Sequence, residues 1–389
     1  MIPGIMLLRS GYQLKQDEHG RAMGRRAEQP YLQLFDEDER KARCITPRND
    51  TMRRQLARLA KKGLLLEVGP SLYTRPEYWE KLKQDKQAMH KIRGLAVLHP
   101  DWVFCGPSAA LVHGLWVSYS RVAQTHVLVS SGVNTRTCQG IHRYKSSKPL
   151  QVSVVDGVRV TSVEQTVFDC LRCLSFPEGV AVADSYLRVS GRNRAELVDA
   201  LLCQASPRQH GVDRALYAAR LADGRSESGG ESIARAMIYE LGYAMPDLQV
   251  EIDDPLDGTA AYRADFLWTL PNGSRVAGEL DGREKYTNPV MTDNRDMVDV
   301  LADERLRESR IGATGVVVAR FSFSDVCNRR RFAKILDCYN IPRVSRPSQH
   351  ALVGAHAGLR YVHLPGVLTV GKWNVGICLC HPVGLVGCA

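Results

Sequence analysis

The 389-residue chain lacks any run of about 18 strongly apolar residues, the length a membrane helix requires, and this excludes a helical span on sequence grounds. The opening MIPGIMLL has no basic segment ahead of it and is short, so no secretory signal is expected. The 11 cysteines are odd in number and form no regular framework. No second pair at zinc spacing accompanies Cys170-Leu-Arg-Cys173, which lies in a helical pattern and reads as core thiols. Cys378-Leu-Cys380-His381 also stands without a spaced partner pair. A reducing, cytoplasmic setting is the simple expectation. Beyond Arg346 there is no acidic residue at all, and the glycine- and valine-rich stretch 344–389 reads as an irregular tail.

What the chain does carry is positive charge. Its formal net charge is +10, with 44% apolar and 24% charged residues, which allows packed cores and favours a polyanionic partner. Length alone permits two or three domains. Residues 1–28 show no periodicity and read as a disordered arm.

In 29–93 a helical stretch through Tyr31, Leu34 and Phe35 precedes Thr46-Pro47 and then RNDTMRRQLARLAKKG. Met52, Leu56 and Leu59 mark one buried stripe of a helix ending at Gly63. Arg48 precedes it, and Arg53, Arg54, Arg58, Lys61 and Lys62 lie along the opposite face. Two short strands, LLLEV and SLYTR, follow through Gly69-Pro70. Helix, basic helix and hairpin make a winged helix-turn-helix, whose second helix enters the major groove and whose wing, with Tyr73, touches backbone. Arginines would bond guanine edges and lysines would neutralise phosphate. The alternative is a solvated helix face.

A charged helix over Glu77–Arg93 leads to an α+β region, 94–225. Ser108-Ala-Ala-Leu-Val-His-Gly opens a short helix, and Thr125–Ser131 and IHRYK are strands. LQVSVVDGVRVTS is a hairpin about a type I′ turn at Asp156-Gly157. Ser162 to Gln165 is a capping box for EQTVFDCLRCL. Helices follow over Glu178–Val189, Arg194–Ala205 and Val212–Leu221. His113, Asp169 and His142-Arg143-Tyr144-Lys145 read as core or surface residues rather than a site. With the winged helix before it, the Ser108-Ala109-Ala110 helix, the DGVRVTS hairpin, and Thr166 with Asp169, this region resembles the AbiEi-like antitoxins of type IV toxin-antitoxin systems. The resemblance implies a DNA-binding autorepressor whose partner is a cognate nucleotidyltransferase toxin.

The acids gather in 226–343. An amphipathic helix after Ser228 (Ile233, Ala236, Met237, Leu241) precedes strands at Leu248–Ile252, Tyr262–Trp268 and Arg275–Leu280. If Pro271, Asn272 and Gly273 form a three-residue loop with Gly273 at positive φ, Asp265 falls opposite Glu279. Opposed carboxylates destabilise a sheet by up to about 1 kcal/mol unless a cation lies between them. A hard divalent metal such as Mg²⁺, which binds through one or two carboxylates with phosphate and water, would suit. Asp281 shares that face and Lys285 follows. Glu231 has two readings, a supporting acid or the glutamate of a capping box begun by Ser228. After TDNRDMVDVLADERLRESR, a helix, GVVVARF reads as a central strand buried on both faces, with Arg320 near the acids. Asp325–Tyr339 closes the domain as a helix.

This order of helix, three strands, helix, strand and helix, over roughly Ser226 to Arg343, resembles the PD-(D/E)xK restriction-endonuclease-like fold, in the branch of the very-short-patch-repair-like nucleases and their DUF559 relatives. The resemblance implies Asp265 and Glu279 as metal ligands and Glu231 as a supporting acid. The family's lysine, two residues after the second acid, is Asp281 here, with Lys285 as a substitute. The chain is thus expected to be a multidomain α+β and α/β protein: a winged helix-turn-helix, an α+β middle domain and an αβββαβα core. Two functions follow, a DNA-binding transcriptional regulator of antitoxin type carrying a nuclease-like domain, or a metal-dependent DNA endonuclease targeted by the winged helix.

Overall fold

Apolar residues at helical spacing fold the N-terminal part around the side chains that the spacing selects. The structure, a computed structural model, describes residues 31–129, 140–145, 151–206, 209–256, 258, 261–281, 306 and 309–344, and the backbone of 360–364 and 367–371. Helix α1 (Leu32–Arg40) is followed by α2 (Asp50–Lys61), whose first turn is closed by Asn49 Oδ1 accepting from Met52 N at 2.8 Å. The chain leaves α2 through Gly63 at φ 73, a backbone state that glycine enters without steric cost. Strands β1 (Leu66–Gly69) and β2 (Leu72–Thr74) pair antiparallel. Met52, Leu56 and Leu59 pack with Phe35, Ile45, Leu65 and Tyr73 in one small core.

The single helix expected over Glu77–Arg93 is two, α3 (Pro76–Glu80) and α4 (Gln84–Leu98). Its charged pattern runs on without a break, and the backbone interrupts it at Lys81–Lys83. Next come β3 (Val103–Phe104), α5 (Gly106–Val112), α6 (Tyr119–Val122), β4 (Thr125–Leu128), β5 (Ile141–Tyr144), β6 (Val152–Val155) and β7 (Val158–Thr161). They build a mixed five-stranded sheet in the order β5-β4-β3-β7-β6. Asp156 and Gly157 both take positive φ, 49° and 77°, as a type I′ turn requires. Helices α7 (Val163–Cys173), α8 (Phe176–Ser190), α9 (Arg194–Gln204) and α10 (Val212–Leu221) share one core that holds Val167, Phe168, Val180 and Leu201. Of the capping box expected at Ser162, the structure shows the half in which Ser162 Oγ accepts from Gln165 N.

Helix α11 (Gly229–Glu240) then leads to β8 (Asp247–Asp253), β9 (Ala261–Thr269), β10 (Arg275–Asp281) and β11 (Val316–Ser322), followed by α12 (Phe323–Cys327) and α13 (Arg329–Cys338). The sheet order is β11-β10-β9-β8, antiparallel except for the parallel pair β10–β11. Strand β11 is therefore an edge strand among the described residues, with Val317 52% exposed, and not the doubly buried central strand its apolar run suggests. The closing helix is divided at Asn328, whose side chain accepts from Arg331 N and begins α13. In the tail, β12 (Arg360–Leu364) and β13 (Val367–Gly371) form an antiparallel hairpin where irregular chain was expected. The chain is a mixed α+β protein, and among the described residues no helix is long and apolar enough to cross a membrane.

Candidate functional site

Two clusters hold the side chains singled out in the sequence. The first is the outer face of α2. With Met52, Leu56 and Leu59 turned inward, Arg48, Arg53, Arg54, Arg58, Lys61 and Lys62 are all exposed. Two are engaged by acids: Arg53 pairs with Asp50 at 2.9 Å, and Arg48 lies 3.9 Å from Glu37. Exposed pairs of this kind contribute about 0–1 kcal/mol, so a phosphate could displace either carboxylate at small cost. Tyr73 does not belong to this face. It is 2% exposed and pairs its backbone with Ile45, so it fills the core rather than touching a partner. Residues 66–74 hold no Lys or Arg, which leaves the hairpin's backbone and polar tip as its only contacts for phosphate.

The second cluster crosses the C-terminal sheet. The Pro271-Asn272-Gly273 loop forms as expected, with Gly273 at φ 83 and Leu270 N donating to Ser274 O. Pairing runs from Arg275↔Thr269 to Gly278↔Phe266 and stops one residue short of Asp265 and Glu279, which the same register continued by one step would oppose. At that step Leu280 N donates to Asp265 Oδ2 at 3.0 Å, so the carboxylate accepts an amide hydrogen bond from β10. Glu279 neighbours Arg320 in the parallel register, and their side chains approach to 3.4 Å. The positive charge beside these acids is thus an arginine of the same sheet.

Glu231, 8% exposed, approaches from α11. Ser228 Oγ accepts from Glu231 N, which is one half of the capping box. The other half differs: the Glu231 carboxylate accepts from Glu227 N at 2.8 Å and Gln249 Nε2 at 2.9 Å, not from the Ser228 amide. Gln249 sits in β8 at φ 54, in the gap between the pairs Leu248↔Phe266 and Val250↔Ala264, level with Asp265. A non-glycine residue held there costs on the order of 1 kcal/mol. Gln249 has no sequence signal, being one polar residue of a strand. Glu231, Gln249, Asp265, Glu279 and Arg320 form a polar line across the sheet. Asp281 is exposed on the Glu279 face, level with Ser322. Lys285 lies outside the described residues, as do Cys378, Cys380 and His381.

Among the described residues no group of three or more His, Cys, Asp or Glu is arranged to hold a metal ion. Asp265 and Glu279 are nonetheless of the type and number that Mg²⁺ takes from proteins, which is one or two carboxylates. In the middle region, His113 Nε2 lies 2.8 Å from Thr161 O, and Asp169 accepts from Gln165 and Arg172. Burial raises the Cys170 thiol well above its ordinary range, as befits a core thiol.

The glycines of Ser228-Gly-Gly-Glu231 have a structural cause. A Cβ at Gly229 would lie 2.0 Å from the Trp116 ring and one at Gly230 2.7 Å from Leu280. One turn further along α11, Arg235 Nη2 reaches Asp184 of α8 at 2.7 and 2.8 Å, both side chains almost fully buried. Arg235 Nη1 donates to Leu221 O, and Asp223 N to Asp184 Oδ1. The acid-bearing helix is thus bound into the four-helix core across the domain boundary expected near residue 225.

Two uncharacterized proteins from different strains of Mycobacterium tuberculosis are similar to this chain, each 28% identical over 241 residues, or 61% of this chain and 81% of the relative. No family model matches the chain.

Proposed function

We propose that this protein is a DNA-binding transcriptional regulator of the AbiEi antitoxin kind, in which a winged helix-turn-helix over 29–93 finds the site. The α+β unit of 94–225 docks a partner, and the restriction-endonuclease-like unit of 226–343 makes a second contact with DNA. The observation that carries this reading is the division of α2 into a buried apolar stripe and an outer face bearing four exposed cations, flanked by exposed Arg48 and Lys62, with a hairpin directly after it. A recognition helix needs that division, because one face must hold the helix rigidly while the other meets phosphate and base edges. Seven free cysteines among the described residues suit a cytoplasmic protein. A nucleotidyltransferase toxin is the partner that the AbiEi likeness implies. Footprinting on the DNA upstream of the protein's own coding sequence tests the reading: a protected site lost in Arg54→Ala/Arg58→Ala supports it, and no protection overturns it.

One observation favours a second reading, that of a DNA endonuclease. Asp265 and Glu279 lie on neighbouring strands, one step past the last pair Gly278↔Phe266, and Glu231 on α11 accepts from Gln249 of β8, which supports a likeness to the PD-(D/E)xK fold. Asp265 and Glu279 would hold Mg²⁺, which would supply charge stabilisation for phosphodiester hydrolysis. Each acid here already has protein partners: Leu280 N, Arg320 and Gln249. These contacts favour the regulator. Incubation with supercoiled DNA and Mg²⁺ or Mn²⁺, beside Asp265→Ala, is expected to show no metal-dependent nicking by either protein. Nicking that the variant loses would make the protein a nuclease.

A further inference from the structure

A cleft of about 550 Å³, lined by none of the residues of the two clusters, lies between the end of α1, the last turns of α4 and the β6–β7 turn. Its lining carries four cationic side chains, Arg40, Lys41, Arg43 and Arg93, against one carboxylate, Asp156. The four are held differently. Arg43 is committed to Asp38 at 2.6 Å, an acid whose side chain is almost fully buried. Lys41 pairs with Glu37 at the surface, and Arg40 Nε reaches only a carbonyl, Asp36 O at 3.3 Å. Arg93 spans the cleft with two long contacts, Ala42 O at 3.4 Å and the exposed Asp156 carboxylate at 3.2 Å.

Arg93 and Arg40 are therefore the two guanidinium groups held most loosely, and an exposed carboxylate contact of this length is readily exchanged for phosphate, which arginine binds bidentately. The wall between them is apolar, formed by Ala96 and by Val97, which is 49% exposed. A cleft with loosely held guanidinium groups at its rim and a small apolar wall, in the size range of nucleotide pockets, suits a ligand with a phosphate joined to a flat or apolar part. We infer that this cleft binds a phosphate-bearing ligand of nucleotide size, with Arg93 and Arg40 contacting the phosphate and Val97 the sugar or base. The inference stands on the cleft alone and does not require α2 to read DNA.

The ligand has two sources, a free nucleotide or one nucleotide of a DNA strand passing from α2, since Glu37 beside Lys41 also faces Arg48. Full-length protein is titrated with AMP, inorganic phosphate and a 20-base-pair duplex, as wild type, Arg40→Glu, Arg93→Ala, Arg93→Lys and Arg54→Ala/Arg58→Ala. Saturable AMP binding, weakened at least tenfold by Arg40→Glu and by Arg93→Ala, restored in part by Arg93→Lys and untouched by the α2 variant, assigns the cleft to a free nucleotide. Absence of AMP binding, with duplex affinity reduced at least tenfold by the cleft variants, assigns it to DNA backbone. Thermal melting keeps both results from being read through misfolding, and Arg40→Glu, at an exposed position, stands if Arg93→Ala melts early. Binding of all three probes unchanged by Arg40→Glu and Arg93→Lys, or no binding at all, overturns the inference.

Discussion

Glu178 shows how one residue ties three elements together and makes stability depend on pH. Its carboxylate closes the capping box of α8 with Ser175 and receives both Nε and Nη2 of Arg121 at 2.9 Å and Ser118 Oγ at 2.8 Å. Burial alone would raise its pKa, but these donors outweigh burial and hold it at about 2. A depressed carboxyl contributes stability that is present above its ordinary value near 4.5 and lost as pH falls towards 2. His126, pushed down to about 4 chiefly by burial and then by His142 and Arg121, acts in the same direction, losing its contribution as pH falls from about 6.5. Denaturation midpoints measured from pH 7 down to pH 3 are therefore expected to fall. Glu178→Gln should cost about 1–3 kcal/mol at pH 7 and flatten the lower part of that profile. An unchanged slope below pH 5 would remove Glu178 from the account.

At the scale of single elements, α2 is the part most open to test and the part most legible beforehand. Leu56 is fully buried, so Leu56→Ala should cost about 2–5 kcal/mol, and Asn49→Ala, which removes the N-cap, about 1 kcal/mol. Urea unfolding of each variant measures both. A Leu56→Ala cost below 1 kcal/mol would mean that α2 is not held by the core described. Local signals decided such elements: a 3.6-residue stripe ending at Gly63 marked α2, Asp156-Gly157 marked the β6–β7 turn, and Val212–Leu221 matched α10 to the residue. Where neighbours in space decide, the sequence was silent. The break between α3 and α4 interrupts a charged pattern that is continuous in sequence. An edge strand such as β11 has the same apolar composition as a central one. Tyr73 reads as a contact residue on a hairpin until Ile45 is placed beside it. For the acids, the loop residues Pro271-Asn272-Gly273 gave the hairpin and its register as far as Gly278↔Phe266, whereas Gln249 and the partners of Glu231 depend on α11 meeting β8.

Across the whole molecule, the contact between α8 and α11 makes the C-terminal sheet and the four-helix core one mechanical unit. Asp184 and Arg235 are buried with several hydrogen bonds, and Trp116 lies against Gly229. Removing one member of a buried pair leaves an uncompensated charge, so Arg235→Ala should cost about 3–5 kcal/mol. Calorimetry is expected to show residues 94–343 of the native protein unfolding in one transition, and the variant in two. Two transitions in the wild type would mean that the helices touch without coupling.

The central claim is that α2 presents its cations to DNA. The most direct measurement is the affinity of wild type and Arg54→Ala/Arg58→Ala for the protein's own upstream DNA across a series of salt concentrations. If both arginines contact phosphate, log K against log salt should become shallower by about 0.9 for each lost contact, with weaker binding throughout. If the two proteins bind with the same affinity and the same slope, α2 is not the DNA-binding helix and the proposed function fails.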